Sequence, residues 1–192
     1  MLEIQDLSFS YGKKKVIDHL SLTLQSGEIL AVMGASGCGK STLLNLIAGL
    51  RKPTAGRILL PKEVRISYAF QEPRLFPWLT VSENLRAVLT DREDADHRIA
   101  HALAAVSLSD AAELYPDELS GGMKSRASLA RAIAYGGNLF LLDEPFAALN
   151  EELRAELCQV LRREIHAANA SAIIVTHQLS DAEALADRIL KL

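Results

Sequence analysis

The chain has little cysteine and little aromatic surface: two cysteines, one tryptophan and 5% aromatic residues in 192. Cys38 and Cys158 make no disulfide framework and no CxxC pair, so neither a stapled scaffold nor a zinc site is read from them, and both are expected to stay reduced. No run of about 18 consecutive apolar residues occurs, which excludes a membrane-spanning helix. The opening MLEIQDLSFS lacks the basic and apolar regions of a signal peptide, so a cytoplasmic chain is expected. There is no basic arm either, and a net charge of −3 argues against nucleic acid as the main partner. Repeats and low-complexity stretches are also missing.

What remains is an ordinary globular composition, 49% hydrophobic and 23% charged, in a chain long enough for one unit with a substantial core. Leu2 to Phe9 and Ile17 to Leu24 alternate apolar and polar residues and predict an antiparallel pair joined through GKKK, Gly12 to Lys15. GEILAVM (Gly27 to Met33), Val64 to Phe70, Leu139 to Asp143 and Ala172 to Thr176 are instead apolar on both faces, as expected of a parallel sheet covered by helices. The fold class is therefore α/β. Between Gln71 and Arg126 the character turns helical, in VSENLRAVL (Val81 to Leu89) and HRIAHALAAV (His97 to Val106), with no further buried strand. This divides the single domain 1–192 into a core with a small β layer, 1–71 and 127–192, and an inserted helical subdomain, 72–126. The subdomain opens with QEPRLFPWLTV, whose prolines break the chain and bring Leu75, Phe76 and Trp78 together.

GASGCGKS (Gly34 to Ser41) lies between a buried strand and a segment with helical spacing at Leu43, Leu44 and Ile47. Gly34, Gly37 and Gly39 let backbone N–H groups curve round phosphates, and the following helix turns its positive end to the same anion. Ala35, Ser36 and Cys38 complete the loop, with Cys38 a filler and not a nucleophile. Lys40 would reach the β- and γ-phosphates, Ser41 would offer a hydroxyl to Mg²⁺, and Thr42 would bond an earlier phosphate. LFLLDEP (Leu139 to Pro145) ends another buried strand in two carboxylates. Asp143 can hold the Mg²⁺ shell through water, and Glu144 can polarise a water attacking the γ-phosphorus. His97 and His101, one helical turn apart, would need a third ligand to bind a metal, and the sequence offers none.

Between these two motifs stands LSGGM, Leu119 to Met123. Taken alone, SGG is a helix start after a loop; in this order the three motifs resemble the ATP-binding cassette family, whose signature LSGGQ is matched in all but the last position. The resemblance covers essentially the whole chain and implies a P-loop ATPase fold that binds ATP and Mg²⁺. It also implies a second copy of the cassette packed head to tail, so that Ser120, Gly121, Gly122 and Met123 act in trans on the neighbour's γ-phosphate. By the same resemblance Tyr11 stacks on adenine, Gln71 senses Mg²⁺ and the attacking water, and His177 contacts the γ-phosphate. Lacking a span, such a cassette works with transmembrane permease subunits and a solute-binding protein, peripheral on the cytoplasmic face of the cell membrane. Leu75, Phe76, Pro77 and Trp78 are candidates for the permease contact, with a place in the subdomain core as the alternative.

Two departures stand out. Met123 in place of glutamine, together with QEPRLFPWLTVSENL, resembles the nitrate, sulfonate and taurine importer group, which implies import of a small nutrient solute, either an anion or a related nutrient. Asn150 stands where the family has an aspartate at the dimer seam and removes a charge while keeping hydrogen-bonding capacity. The chain ends at ADRILKL, so regulation through a C-terminal extension is not expected. A non-transport cassette ATPase and a weakly hydrolysing nucleotide switch remain as alternative readings; ATPase activity and the presence of membrane partners discriminate among them.

Overall fold

The computed structural model describes residues 2–89 and 94–192; Met1 and residues 90–93, the latter inside the stretch expected to be helical, lie outside the described residues. In chain order the elements are β1 (Leu2–Tyr11), β2 (Lys14–Leu24), β3 (Ile29–Met33), α1 (Lys40–Ile47), β4 (Ala55–Leu59) and β5 (Ile66–Ala69). Then follow α2 (Val81–Arg86), α3 (Ala95–Ala105), α4 (Gly121–Tyr135), β6 (Leu139–Asp143), α5 (Glu151–Ala167), β7 (Ser171–Val175), α6 (Leu179–Leu185) and β8 (Arg188–Lys191).

β1 and β2 pair antiparallel from Leu2 opposite Leu24 to Tyr11 opposite Lys14, so the turn is tighter than the four-residue GKKK connection. Their period-2 pattern buries Leu2, Ile4, Leu22 and Leu24 against the core. β4 pairs antiparallel with β1 and completes a three-stranded layer in the order β2-β1-β4. The second sheet is parallel, in the order β5-β6-β7-β3-β8. Alternation within its central strands feeds two separate cores. Leu30, Val32, Leu139, Leu141, Ile173 and Val175 face α1 and the β layer. Phe140, Leu142, Ala172 and Ile174 face the side packed by the other helices. Both faces are thus covered, which is why the strands read as continuous apolar runs.

No strand lies between β5 and β6 among the described residues. The chain there is ordered by its own polar groups. Thr80 and Glu83 form a reciprocal cap on α2. Asn84, fully buried, accepts from the Phe76 N–H at 2.7 Å and donates to the carbonyls of Phe76, Leu79 and Thr80 at 3.1, 3.0 and 2.9 Å. One amide therefore fixes the proline-rich loop before α2. α4 runs unbroken through residues 126 and 127, so a single rigid helix carries the LSGG segment at one end and packs beside β5 at the other. Among the described residues no helix is long and apolar enough to cross a membrane.

Candidate functional site

In open parallel sheets ligands gather beyond the carboxyl ends of the strands. Here β3, β6 and β7 deliver the glycine loop, Glu144 and His177 to that one edge. A cleft of about 240 Å³ is lined there by Tyr11, Ser36, Gly37, Gly39, Lys40, Ser41, Thr42, Gln71 and Glu144, with Lys14 and Val16 at its side. Residues from four separate stretches of sequence thus meet in one place.

The loop is built to bring backbone close to a ligand. Gly39, the N-cap of α1, sits at φ 107°, and a Cβ there would lie 2.8 Å from Val16 Cγ1. Only glycine fits that position. Lys40 is 7% exposed, and its ammonium donates to the carbonyls of Gly34 and Ala35 at 2.9 and 3.0 Å. The lysine therefore lies across its own loop, and an incoming phosphate competes with those two carbonyls for it. Tyr11 is 43% exposed; its hydroxyl meets Thr42 Oγ1 at 3.4 Å and Phe9 packs edge-on at 4.9 Å between ring centroids. The Arg51 guanidinium lies 5.0 Å from the Tyr11 ring centroid, in the range of a cation–π contact.

Asp143 is 4% exposed, and its Oδ1 is buried without a hydrogen-bond partner among the described residues. Burial pushes its carboxyl up from the usual range; the Ser41 hydroxyl opposes this, the Glu144 charge adds to it, and Lys40 lowers it again. A buried, unsatisfied carboxylate oxygen beside a serine hydroxyl has the donor chemistry that a hard divalent cation takes. Glu144 leaves β6 in the left-handed region, φ 48°, with its N–H donating to Val175 O at 2.9 Å. For a residue with a Cβ such a conformation costs about 1–3 kcal/mol and is held by its surroundings. It turns the carboxylate toward His177, whose Nδ1 lies 3.2 Å from Glu144 Oε2.

The signature residues Ser120 to Met123 do not line this cleft. Ser120 caps α4, its hydroxyl accepting from the Met123 N–H at 3.2 Å, and Met123 leans on the helical core. A Cβ on Gly121 would meet nothing within 4 Å, whereas one on Gly122 would lie 3.0 Å from Ala148 O and 3.3 Å from Leu149 Cδ2. Asn150 caps α5, accepting from the Leu153 N–H at 3.0 Å. The loop after β5 splits its apolar residues: Leu75 packs on the core, while Phe76 and Trp78, with ring centroids 5.6 Å apart, are 39% and 69% exposed. His97 faces Asp94 at 3.7 Å and His101 faces Glu164 at 3.5 Å.

Sequence patterns did not single out Arg51 or Arg154. Each is a lone arginine on an otherwise unremarkable segment, and only three-dimensional packing sets Arg51 over Tyr11 and Arg154 between two loops. The charge-pairing rules for helices would have paired Arg154 with a neighbour on α5, not with a residue beyond β7.

The family model described as ABC transporter matches residues 17–147. Among similar curated proteins, the aliphatic sulfonates import ATP-binding protein SsuB 1 of Mesorhizobium japonicum is 43% identical over 187 residues, covering 94% of this chain and 71% of that protein. SsuB of Corynebacterium glutamicum is 40% identical over 193 residues, covering 98% of this chain and 79% of its own length. Among solved structures, a dimeric bacterial ABC transporter cassette superposes with a TM-score of 0.91 at 28% identity, covering 100% of this chain and 94% of that one. A dimeric cassette in a post-hydrolysis state, bound to ADP and Pi, gives 0.90 at 28% identity with the same coverage.

Proposed function

The chain belongs to the ABC transporter family, and on that premise we propose how its residues divide the work of an ATP hydrolase that powers passage of a small solute through partner transmembrane subunits. The observation that carries the proposal is the single cleft in which the glycine loop, Gln71 and Glu144 converge beneath Tyr11. Tyr11 stacks on the adenine of ATP, its back supported by Phe9 and Arg51. The backbone N–H groups of the loop from Gly34 through Ala35, Ser36, Gly37, Cys38 and Gly39 cradle the phosphates, with the positive end of α1 behind them. Lys40 leaves the Gly34 and Ala35 carbonyls to hold the β- and γ-phosphates, and Thr42 bonds an earlier one.

Ser41, Gln71 and Asp143, the last through water, would hold Mg²⁺, which when bound supplies positive charge against the β- and γ-phosphate oxygens. The orphaned Asp143 Oδ1 fits that assignment. Glu144 accepts a proton from the attacking water as the general base, and His177, in contact with that carboxylate, orients it and contacts the γ-phosphate. Gln71, which lines the same cleft, orients the same water.

Ser120, Gly121, Gly122 and Met123 do not line this cleft; they serve the site of a second copy, and the working unit is a head-to-tail homodimer. Exposed Phe76 and Trp78, beside Pro77, form the contact with the permease subunits, while Leu75 anchors the loop in the core. A solute-binding protein delivers the solute, a small anion of the sulfonate class, and the cassette works at the cytoplasmic face of the membrane.

The decisive experiment is Glu144→Gln in the purified chain. ATP binding is expected to persist while steady-state hydrolysis falls by about 10²- to 10⁴-fold, the usual contribution of a positioned base. Unchanged turnover would remove Glu144 from the chemistry.

A further inference from the structure

His177 is 54% exposed at its side chain, yet it meets Glu144 at 3.2 Å. An exposed imidazole on a loop keeps such a contact only if its backbone is braced. On the β7 side the brace is visible: Thr176 Oγ1 donates to the buried Asp181 Oδ2 at 3.1 Å and accepts from the Gln178 N–H at 3.1 Å. On the other side, Gln178 has one more partner. The Arg154 guanidinium, on the first turns of α5, donates to Gln178 Oε1 and, through its other terminal nitrogen, to the Leu149 carbonyl at 3.0 Å. Leu149 precedes the cap Asn150, and the neighbouring Ala148 carbonyl is the group that a Cβ on Gly122 would approach to 3.0 Å.

We propose that Arg154 is a positioning residue for hydrolysis, a two-ended clamp that locks the turn Ala147–Asn150 to the His177 loop of the same chain and so holds the imidazole on Glu144. This role for Arg154 presupposes that Glu144 is the general base and His177 its partner. A planar guanidinium suits this task because its donors point in fixed, divergent directions, so one side chain sets the separation of two loops. Lysine, a single point of attachment, cannot hold both acceptors in the same way. The clamp also has a directional consequence. The turn it grips touches Gly122 of the signature that serves the neighbouring copy, so Arg154 ties the half-site offered to the partner to the half-site that keeps the chain's own ATP. Such coupling is established by energetic non-additivity and not by adjacency.

The test uses steady-state hydrolysis of Mg-ATP by the purified full chain. Arg154→Met keeps the aliphatic stem and removes both donors; it is expected to lower kcat by about 10- to 100-fold, the scale of a small misplacement of a reacting group, with KM for ATP and nucleotide binding little changed. Arg154→Lys should recover part of that loss. In a His177→Ala background the same Arg154→Met change should cost almost nothing further, because the group it positions is gone. Gln178→Leu cuts only one end of the clamp and should reproduce most of the kcat effect even if Arg154→Met proves unstable. Wild-type kcat in Arg154→Met and Gln178→Leu, or a loss that persists undiminished without His177, overturns the proposal. Glu144→Gln run alongside separates the two levels of inference: if it abolishes turnover and the clamp variants do not, only the clamp is wrong, whereas full turnover in Glu144→Gln removes the functional reading itself.

Discussion

Cys158 and Cys38 show how position decides the chemistry of one residue type. Cys158 is 1% exposed on α5, and its thiol is pushed up to about 12, first by burial and then by the Asp181 charge, with Arg154 pulling the other way. The thiolate is the reactive form. Raising the pKa of an acid favours its neutral state, so Cys158 stays protonated in the folded chain well above neutral pH. Cys38, in the glycine loop, is only partly covered. Iodoacetamide at pH 8, read by peptide mass spectrometry, should label Cys38 in the native protein and Cys158 only after denaturation. Native labelling of Cys158 would show that α5 opens far more readily than its packing implies. Glu144 makes the same point with a different penalty: its left-handed backbone is tolerated because Val175 fixes its N–H and His177 meets its side chain. The DE pair was legible in the sequence, but this strained exit was not, because no neighbouring glycine marks it.

At the scale of elements, α5 explains what Asn150 does locally. Its side chain caps the helix, and Glu151 and Glu152 in the first turn complement the positive end. Aspartate caps as well as asparagine, so the difference from the family pattern is silent for the helix itself. Asn150→Ala should lower stability by about 1 kcal/mol in urea unfolding, and Asn150→Asp should leave it within about 0.5 kcal/mol. If Asn150→Asp nevertheless changes ATP turnover, the effect lies outside the helix cap, and it belongs to the contact between copies only if it depends on protein concentration. The elements also show which parts of the fold could be read beforehand. β3, β6 and β7 announce themselves because both faces are buried and every residue is apolar or nearly so. β4, AGRIL, is almost wholly exposed and sits at a sheet edge, and β8 is the four-residue RILK, so neither carries a pattern that separates it from a loop. The clamp was illegible for another reason: Arg154 and Gln178 are 24 residues apart and neither belongs to a motif.

For the whole molecule the question is whether one chain is a complete machine, and the two signature glycines, which differ, offer a way to test it. Gly122 is crowded by its own chain, since a Cβ there would press on Ala148 and Leu149. Gly121 is not: a Cβ would meet open space, and its backbone is not in the left-handed region. In an isolated helix such a glycine is a small liability, because alanine at a compatible position stabilises by about 0.4–1 kcal/mol through the unfolded state. On the proposed head-to-tail arrangement, a bare helix start at Gly121 leaves its backbone N–H groups open to the phosphates held by a neighbour's glycine loop. The prediction separates folding from assembly. Gly121→Val should leave the thermal midpoint of the monomer unchanged or slightly altered, while Gly122→Val lowers it. In a Glu144→Gln background, where ATP is bound and not consumed, size-exclusion chromatography with light scattering should show an ATP-dependent dimer that Gly121→Val abolishes. A dimer that survives Gly121→Val would mean that the open face of this glycine does not meet the neighbour's nucleotide, and the head-to-tail arrangement would have to be abandoned for this chain.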